Sequence, residues 1–237
     1  MTAAKKKVLI TQSNYIPWKG FFDAINAADE FIVLDTVQFT KRDWRNRNLI
    51  KTPTGLRWLS IPVATKEKYH QRIADVRVVD KHWAKSHWQL IALNYSKAPH
   101  FDHYGPLIEQ LYSGIDTDLL SEINRIFLQA ICEILSIGTR VRQDTEFELK
   151  SGKSERLLHI CKQVGASEYL SGPSAKAYLD TALFESEGIG VTWLDYSGYP
   201  PYTQLYGAFE HGVSIVDLLL NEGEKATQFM KSFRHGV

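Results

Sequence analysis

Phe31-Ile32-Val33-Leu34 contains no polar position, and four consecutive apolar residues suit a strand covered on both faces rather than one with a solvent side. Val8 to Thr11 is a similar short run. Between the two lie a turn-rich segment, Ser13-Asn14-Tyr15-Ile16-Pro17-Trp18, and a helical pattern from Phe21 to Ala28. Strand, loop, helix and strand at this spacing make a βαβ unit, which commits the chain to a parallel sheet.

The rest of the chain extends that plan. Trp58 to Val63 alternates and reads as a third strand, reached through an irregular basic segment from Val37 to Gly55. So long a connection is usually functional or disordered, and Phe39 and Trp44 argue against disorder. The middle is helical. Trp83, His87, Leu90, Ile91 and Asn94 share one face of a helix starting near Asp80, and Leu119, Ile123, Ile126, Phe127, Ala130, Ile131 and Ile134 form a clear core stripe that Asp116 or Thr117 could cap. Leu157, Ile160, Cys161 and Val164 mark another helix, ended by Gly165. A strand at Glu168-Tyr169-Leu170, a helix from Pro173 to Phe184 and a strand at Val191-Thr192-Trp193-Leu194 give a second βαβ unit. Ser214 to Met230 reads as one or two helices interrupted near Gly223. The expected fold is α/β: one domain over residues 1–237, with a mostly parallel twisted sheet, helices on both faces and a helical insertion around residues 80–140.

Composition excludes some functions. A formal net charge of +1 leaves no broad cationic surplus for general nucleic-acid binding. Cys132 and Cys161, the only thiols, fall in apolar-periodic stretches and fit a reducing compartment. Lys5, Lys6 and Lys7 precede an apolar run too short for a signal peptide or a membrane span, so a cytoplasmic protein is expected.

In an open parallel sheet, ligands bind beyond the carboxyl ends of the strands. Gln12, Asn14, Tyr15 and Trp18 follow the first predicted strand; Asp35, Gln38, Lys41, Arg42, Arg45, Asn46, Arg47 and Asn48 follow the second. Ser171, Gly172, Pro173 and Ser174 follow the fourth, and Asp195, Tyr196, Tyr199, Tyr202 and Gln204 the fifth. Polar and aromatic residues thus gather on one edge. Trp44-Arg45-Asn46-Arg47-Asn48 combines guanidiniums suited to phosphate or carboxylate with amides suited to sugar hydroxyls or a base. The alternative is that the arginines solvate the loop or pair with Asp35 and Asp43. Ser171-Gly172-Pro173-Ser174 is either a close backbone approach to a ligand or an ordinary capped helix start.

Other signatures fail. Ser151-Gly152-Lys153-Ser154 resembles the end of a P-loop, but Phe147 stands where the earlier glycine is required. The eight histidines show no zinc spacing, and neither a nucleophile elbow nor a Gly-x-Gly-x-x-Gly run is present. No metal or cofactor is expected.

Gln12 to Asp23, Leu34-Asp35-Thr36-Val37-Gln38-Phe39 and Lys41 to Asn48 closely resemble the opening of the WbqC-like family, as do Trp58 to Val63, Tyr169-Leu170-Ser171-Gly172 and Ser214 to Leu219. Ser13 stands where the family often has proline. The resemblance spans nearly the whole chain and implies work in bacterial surface-polysaccharide (O-antigen) biosynthesis on a nucleotide-linked sugar, with acyl or aminoacyl transfer to a sugar amine. The arrangement is Rossmann-like or nucleotidylyltransferase-like, although the His-x-Gly-His signature of the latter is missing.

Two functions follow. In the first, a transferase, Arg45, Arg47 and Lys41 hold phosphates, Asn46 and Asn48 read hydroxyls, Trp18 or Trp44 stacks on a base or sugar, and Asp35 is the general base. In the second, a non-catalytic binding or assembly protein uses the same groove. The donor and the oligomeric state, a homodimer included, are left open.

Overall fold

A computed structural model describes residues 5–234. Its main sheet has five strands: β1 (Lys7–Thr11), β2 (Glu30–Val33), β5 (Arg140–Gln143), β6 (Glu168–Ser171) and β7 (Gly190–Trp193). All neighbours are parallel, in the order β5-β2-β1-β6-β7. Counted along this sheet the order is 3-2-1-4-5, that of doubly wound α/β proteins.

The period-two alternation of the central strands divides the core. Leu9, Phe31 and Val33 face one cluster with Phe21, Phe22 and Ile25 of helix α1 (Lys19–Asn26) and with Ile123 and Phe127 of α4 (Leu120–Ile134). Val8, Ile10, Ile32 and Leu34 face a second, built with Leu157, Ile160 and Cys161 of α5 (Lys153–Gln163) and Phe184 of α6 (Thr181–Ser186). Helices therefore cover both faces, which is why Phe31 to Leu34 has no polar position. The helical insertion holds α2 (Trp83–Tyr95), α3 (Phe101–Ser113) and α4, and α7 (Ile215–Glu222) closes the first core.

Four local expectations change. Trp58 to Val63 is not a strand of the main sheet: β4 (Gly55–Ser60) pairs antiparallel with β3 (Arg47–Thr52) as a separate hairpin, so about a third of the supposed irregular segment is strand. Pro53 and Thr54 form its two-residue turn, and Gly55, at φ 111°, supplies the left-handed position there. The main sheet's third strand is instead β5, whose Arg-Val-Arg-Gln sequence carries one apolar residue because it lies at the edge. Pro173 to Phe184 divides into a 3-10 turn, Pro173–Ala177, and α6, which Asp180 caps by accepting from the Leu183 amide at 3.1 Å. Leu119 is the residue before α4, with no side-chain cap; the Thr117 hydroxyl accepts only the Leu119 amide. Ser214 caps α7, and Gly223, at φ 55°, ends it as expected.

Candidate functional site

The connections leave β1 and β6 on opposite sides: β1 runs through α1 to β2, and β6 through α6 to β7. Adjacent parallel strands with diverging loops open a crevice at their carboxyl ends. A cleft of about 480 Å³ lies at this edge. Asn14, Pro17 and Trp18 come from the loop after β1, Trp44 and Asn48 from the approach to β3, and Tyr196, Tyr199 and His211 from residues 194–214 after β7.

The loop after β1 is held against its own conformational preference. Ile16 sits at φ 35°, a left-handed value that a β-branched side chain adopts only under constraint. Asn48 supplies that constraint, its Nδ2 donating to the carbonyls of Tyr15 at 3.1 Å and Ile16 at 2.8 Å. The Tyr15 amide donates to the Trp44 carbonyl at 3.0 Å, and the buried Tyr15 hydroxyl meets Tyr112 Oη at 2.6 Å and His87 Nδ1 at 2.9 Å. Tyr15 is thus a pin beneath the loop rather than part of the cleft.

Trp18 lies against the first turn of α1, where a Cβ at Gly20 would overlap its indole. Tyr196 and Tyr199 meet the same indole edge-on, at 5.5 and 5.4 Å between ring centroids. Tyr199 is fixed from behind: its hydroxyl donates to Asp23 Oδ2 at 2.5 Å, while the Ser232 amide and hydroxyl each donate to Asp23 Oδ1 at 2.7 Å. Burial, then the Asp23 carboxylate, raises the Tyr199 phenol well above its ordinary pKa. Farther along the same segment, Tyr202 and Gln204 donate to Asp217 Oδ1 at 2.7 and 2.9 Å. These two anchors order a long connection. Two polar groups complete the cleft. Asn14 Oδ1 is shielded from solvent and has no hydrogen-bond partner among the described residues. His211 stands on an exposed turn, with burial of the ring and then the Lys19 charge lowering its pKa from the ordinary imidazole value.

Of the residues singled out from sequence, Asn14, Trp18, Trp44, Asn48 and Tyr199 line this cleft. Asp35 is buried beside it: Oδ1 accepts the Ser13 amide at 2.9 Å and Oδ2 accepts the Ser121 hydroxyl. Arg45 donates to the Ser13 carbonyl at 3.1 Å and lies 3.6 Å from Asp43, and burial lowers its pKa. Asn46 donates to the Ile61 carbonyl, Gln38 to the Tyr69 carbonyl, and Gln204 belongs to the Asp217 network. Lys41 and Arg47 do not line the cleft; Lys41 lies over the ring of Tyr69, and Arg47 over that of Trp58 on the hairpin. Gln12, Ser171, Gly172 and Ser174 do not line it; Tyr196 arches toward Gly172, where an added Cβ would lie 3.7 Å from the phenol oxygen. Ser197 and His211 are additions to the site residues. Ser197 lies between the singled-out Tyr196 and Tyr199, and the turn-rich run from Gly207 to Gly212 was the sequence signal for His211. Cys132 and Cys161 are buried, and burial pushes both thiols up to about 12, which unsuits them as nucleophiles.

Sheet order and cleft together define an open, doubly wound α/β protein with an aromatic-walled pocket at its topological switch point. The chain belongs to the WbqC-like protein family, whose model matches residues 12–229. It is 48% identical over 229 residues to the uncharacterized protein Rv1507c of Mycobacterium tuberculosis, covering 97% of this chain and 99% of that one. No solved structure matches. Among the described residues no helix is long and apolar enough to cross a membrane, and no cluster of three or more His, Cys, Asp or Glu could hold a metal ion.

Proposed function

We propose that the cleft binds the sugar of a nucleotide-linked amino sugar, and that the protein transfers an acyl or aminoacyl group to its amine during bacterial surface-polysaccharide assembly in the cytoplasm. The observation carrying this reading is the unpartnered Asn14 carbonyl set among the rings of Trp18, Trp44 and Tyr199. Aromatic walls suit the C–H face of a pyranose, and a shielded carbonyl gains a hydrogen bond only when a hydroxyl or amine arrives. The pathway assignment rests on what the family resemblance implies.

The chemistry calls for a base that is unprotonated before it acts. The amine nitrogen forms a bond to the carbonyl carbon of an activated donor, the bond to the leaving group breaks with its electron pair, and the amine proton passes to His211. His211 fits this role better than Asp35, whose two oxygens are already engaged inside the protein. That same engagement favours the second reading, a binding protein of the same pathway without turnover.

Incubation with UDP- and dTDP-linked amino sugars and activated acyl or aminoacyl donors, followed by mass spectrometry of the sugar, tests the transfer. A mass increase that falls with His211→Gln at little-changed KM is expected. Tight binding with no turnover across the donors would leave only the binding role.

A further inference from the structure

Trp44 continues outward from the cleft. Its indole is 43% exposed and lies 5.4 Å from that of Trp58, itself 41% exposed. The Arg47 guanidinium carbon sits 4.1 Å from the Trp58 ring centroid, and Arg47 Nη2 donates to the Arg42 carbonyl. Arg42 is exposed, with a left-handed backbone at φ 58°. Next to it, Lys41 Nζ stands 5.1 Å from the ring of Tyr69, which is 69% exposed. Lys41, Arg42 and Arg47 form no ion pair among the described residues. The nearby carboxylate of Asp43 is occupied by the Thr40 hydroxyl, the Trp44 amide and Arg45.

Three cations without acidic partners among the described residues, interleaved with exposed rings, suit an anion that carries a planar group. The geometry points to this ridge as the subsite for the nucleoside diphosphate, with Arg42, Arg47 and Lys41 on the phosphates and the exposed tryptophans as a stacking surface. The inference rests on the proposed function and extends it by ordering the ligand. The diphosphate of a sugar nucleotide joins the sugar directly, and Trp44 is the residue shared by cleft and ridge. Arg47 suits phosphate because stacking on Trp58 fixes its plane while its edge keeps donors for two-pronged contact. Arg45, despite its place in the same run, is turned inward to Ser13 and has no part in the ridge.

Calorimetric titration of UDP alone and of UDP-glucosamine separates the two subsites. Wild-type protein should bind UDP, with affinity falling as salt rises. Arg42→Gln/Arg47→Gln should weaken UDP at least tenfold, or about 1.4 kcal/mol, and Trp18→Ala should leave UDP unchanged while weakening UDP-glucosamine. Arg42→Gln alone, whose side chain makes no hydrogen bond or ion pair among the described residues, should keep the wild-type unfolding midpoint and still weaken UDP, so a loss of UDP affinity there comes from the lost cation and not from misfolding. Unchanged UDP affinity in the double variant, or no UDP binding by the wild type, would overturn the subsite. If UDP behaves as expected but UDP-glucosamine gains nothing over UDP and ignores Trp18→Ala, the ridge stands and the sugar reading of the cleft fails.

Discussion

Replacing Asp35 by Asn separates a structural carboxylate from a catalytic one. In the wild type, Oδ1 takes the Ser13 amide at 2.9 Å and Oδ2 takes the Ser121 hydroxyl, so Asp35 ties the loop after β1 to helix α4. An asparagine can keep both contacts: its oxygen faces the Ser13 amide, and its NH2 donates to a Ser121 hydroxyl that rotates to accept. What disappears is the charge assistance. Hydrogen bonds to charged groups contribute about 1.5–3 kcal/mol against about 0.5–1.5 for neutral ones, so two weakened bonds amount to about 2 kcal/mol. With a urea m-value of about 2 kcal/mol/M, the unfolding midpoint should fall by about 1 M. Turnover measured well below that midpoint, or Kd for UDP-glucosamine, should stay within about threefold of wild type. An unchanged midpoint together with a collapse of turnover and loss of the acid limb of its pH profile would refute the structural assignment and restore Asp35 as the base.

His87 provides a pH test: burial lowers it to about 4, whereas the unfolded imidazole titrates near 6.5, so the unfolded state takes the proton first and stability, complete above about pH 6.5, should fall by about 3 kcal/mol on approaching pH 4. Urea midpoints across that range should show a shallower fall in His87→Gln, and parallel curves would contradict it. Gly20→Ala places a Cβ in overlap with the Trp18 indole, so it should lower thermal stability by about 1–3 kcal/mol and weaken UDP-glucosamine about tenfold by displacing that ring; full affinity in the folded variant would show that the ring position is immaterial. Tyr199→Phe removes a donor from Asp23 and should cost about 1–2 kcal/mol, with faster hydrogen exchange at the Ser232 amide; unaltered exchange would mean that Tyr199 does not brace the C-terminal segment.

The parts of the fold legible in sequence were those whose burial leaves a periodic mark. Phe31 to Leu34 announced a strand with two covered faces because its residues alternate between the two cores, and the stripe from Leu119 to Ile134 announced α4 because Ile123, Phe127 and Ile131 meet the first core. Strand β5 left no such mark. Arg140 and Arg142 are partly solvated at the sheet edge, and Arg142 pairs with Glu30 and Glu146. The hairpin was hidden by its surroundings: most of β4 is exposed, so its residues do not alternate in burial, and Pro53-Thr54 lacks the usual Asn-Gly signature. The edge of the sheet bearing the cleft was legible, since strand ends follow from strand positions. Its far wall was less so, because Tyr199 owes its place to Asp23 and Ser232, contacts 176 and 209 residues apart in sequence that no local pattern encodes.

The Asn-Arg-Asn run shows why composition alone misassigns roles. Residues 46 to 48 enter β3, and successive side chains of an extended chain point to opposite faces. Asn46 and Asn48 therefore turn inward together, one to the Ile61 carbonyl and the other to those of Tyr15 and Ile16. Arg47, between them, turns outward onto Trp58. A set that could have been one ligand-gripping cluster is divided by the pleat into two structural amides and one outward cation. The inward pair still acts on function at one remove. The left-handed Ile16 would cost about 1–3 kcal/mol unsupported, and the Asn48 amide holds its carbonyl where Pro17 and Trp18 can form the cleft wall. The Asn-Arg-Asn run thus braces the loop after β1 through Asn48, which also lines the cleft, and leaves Arg47 as its one outward cation.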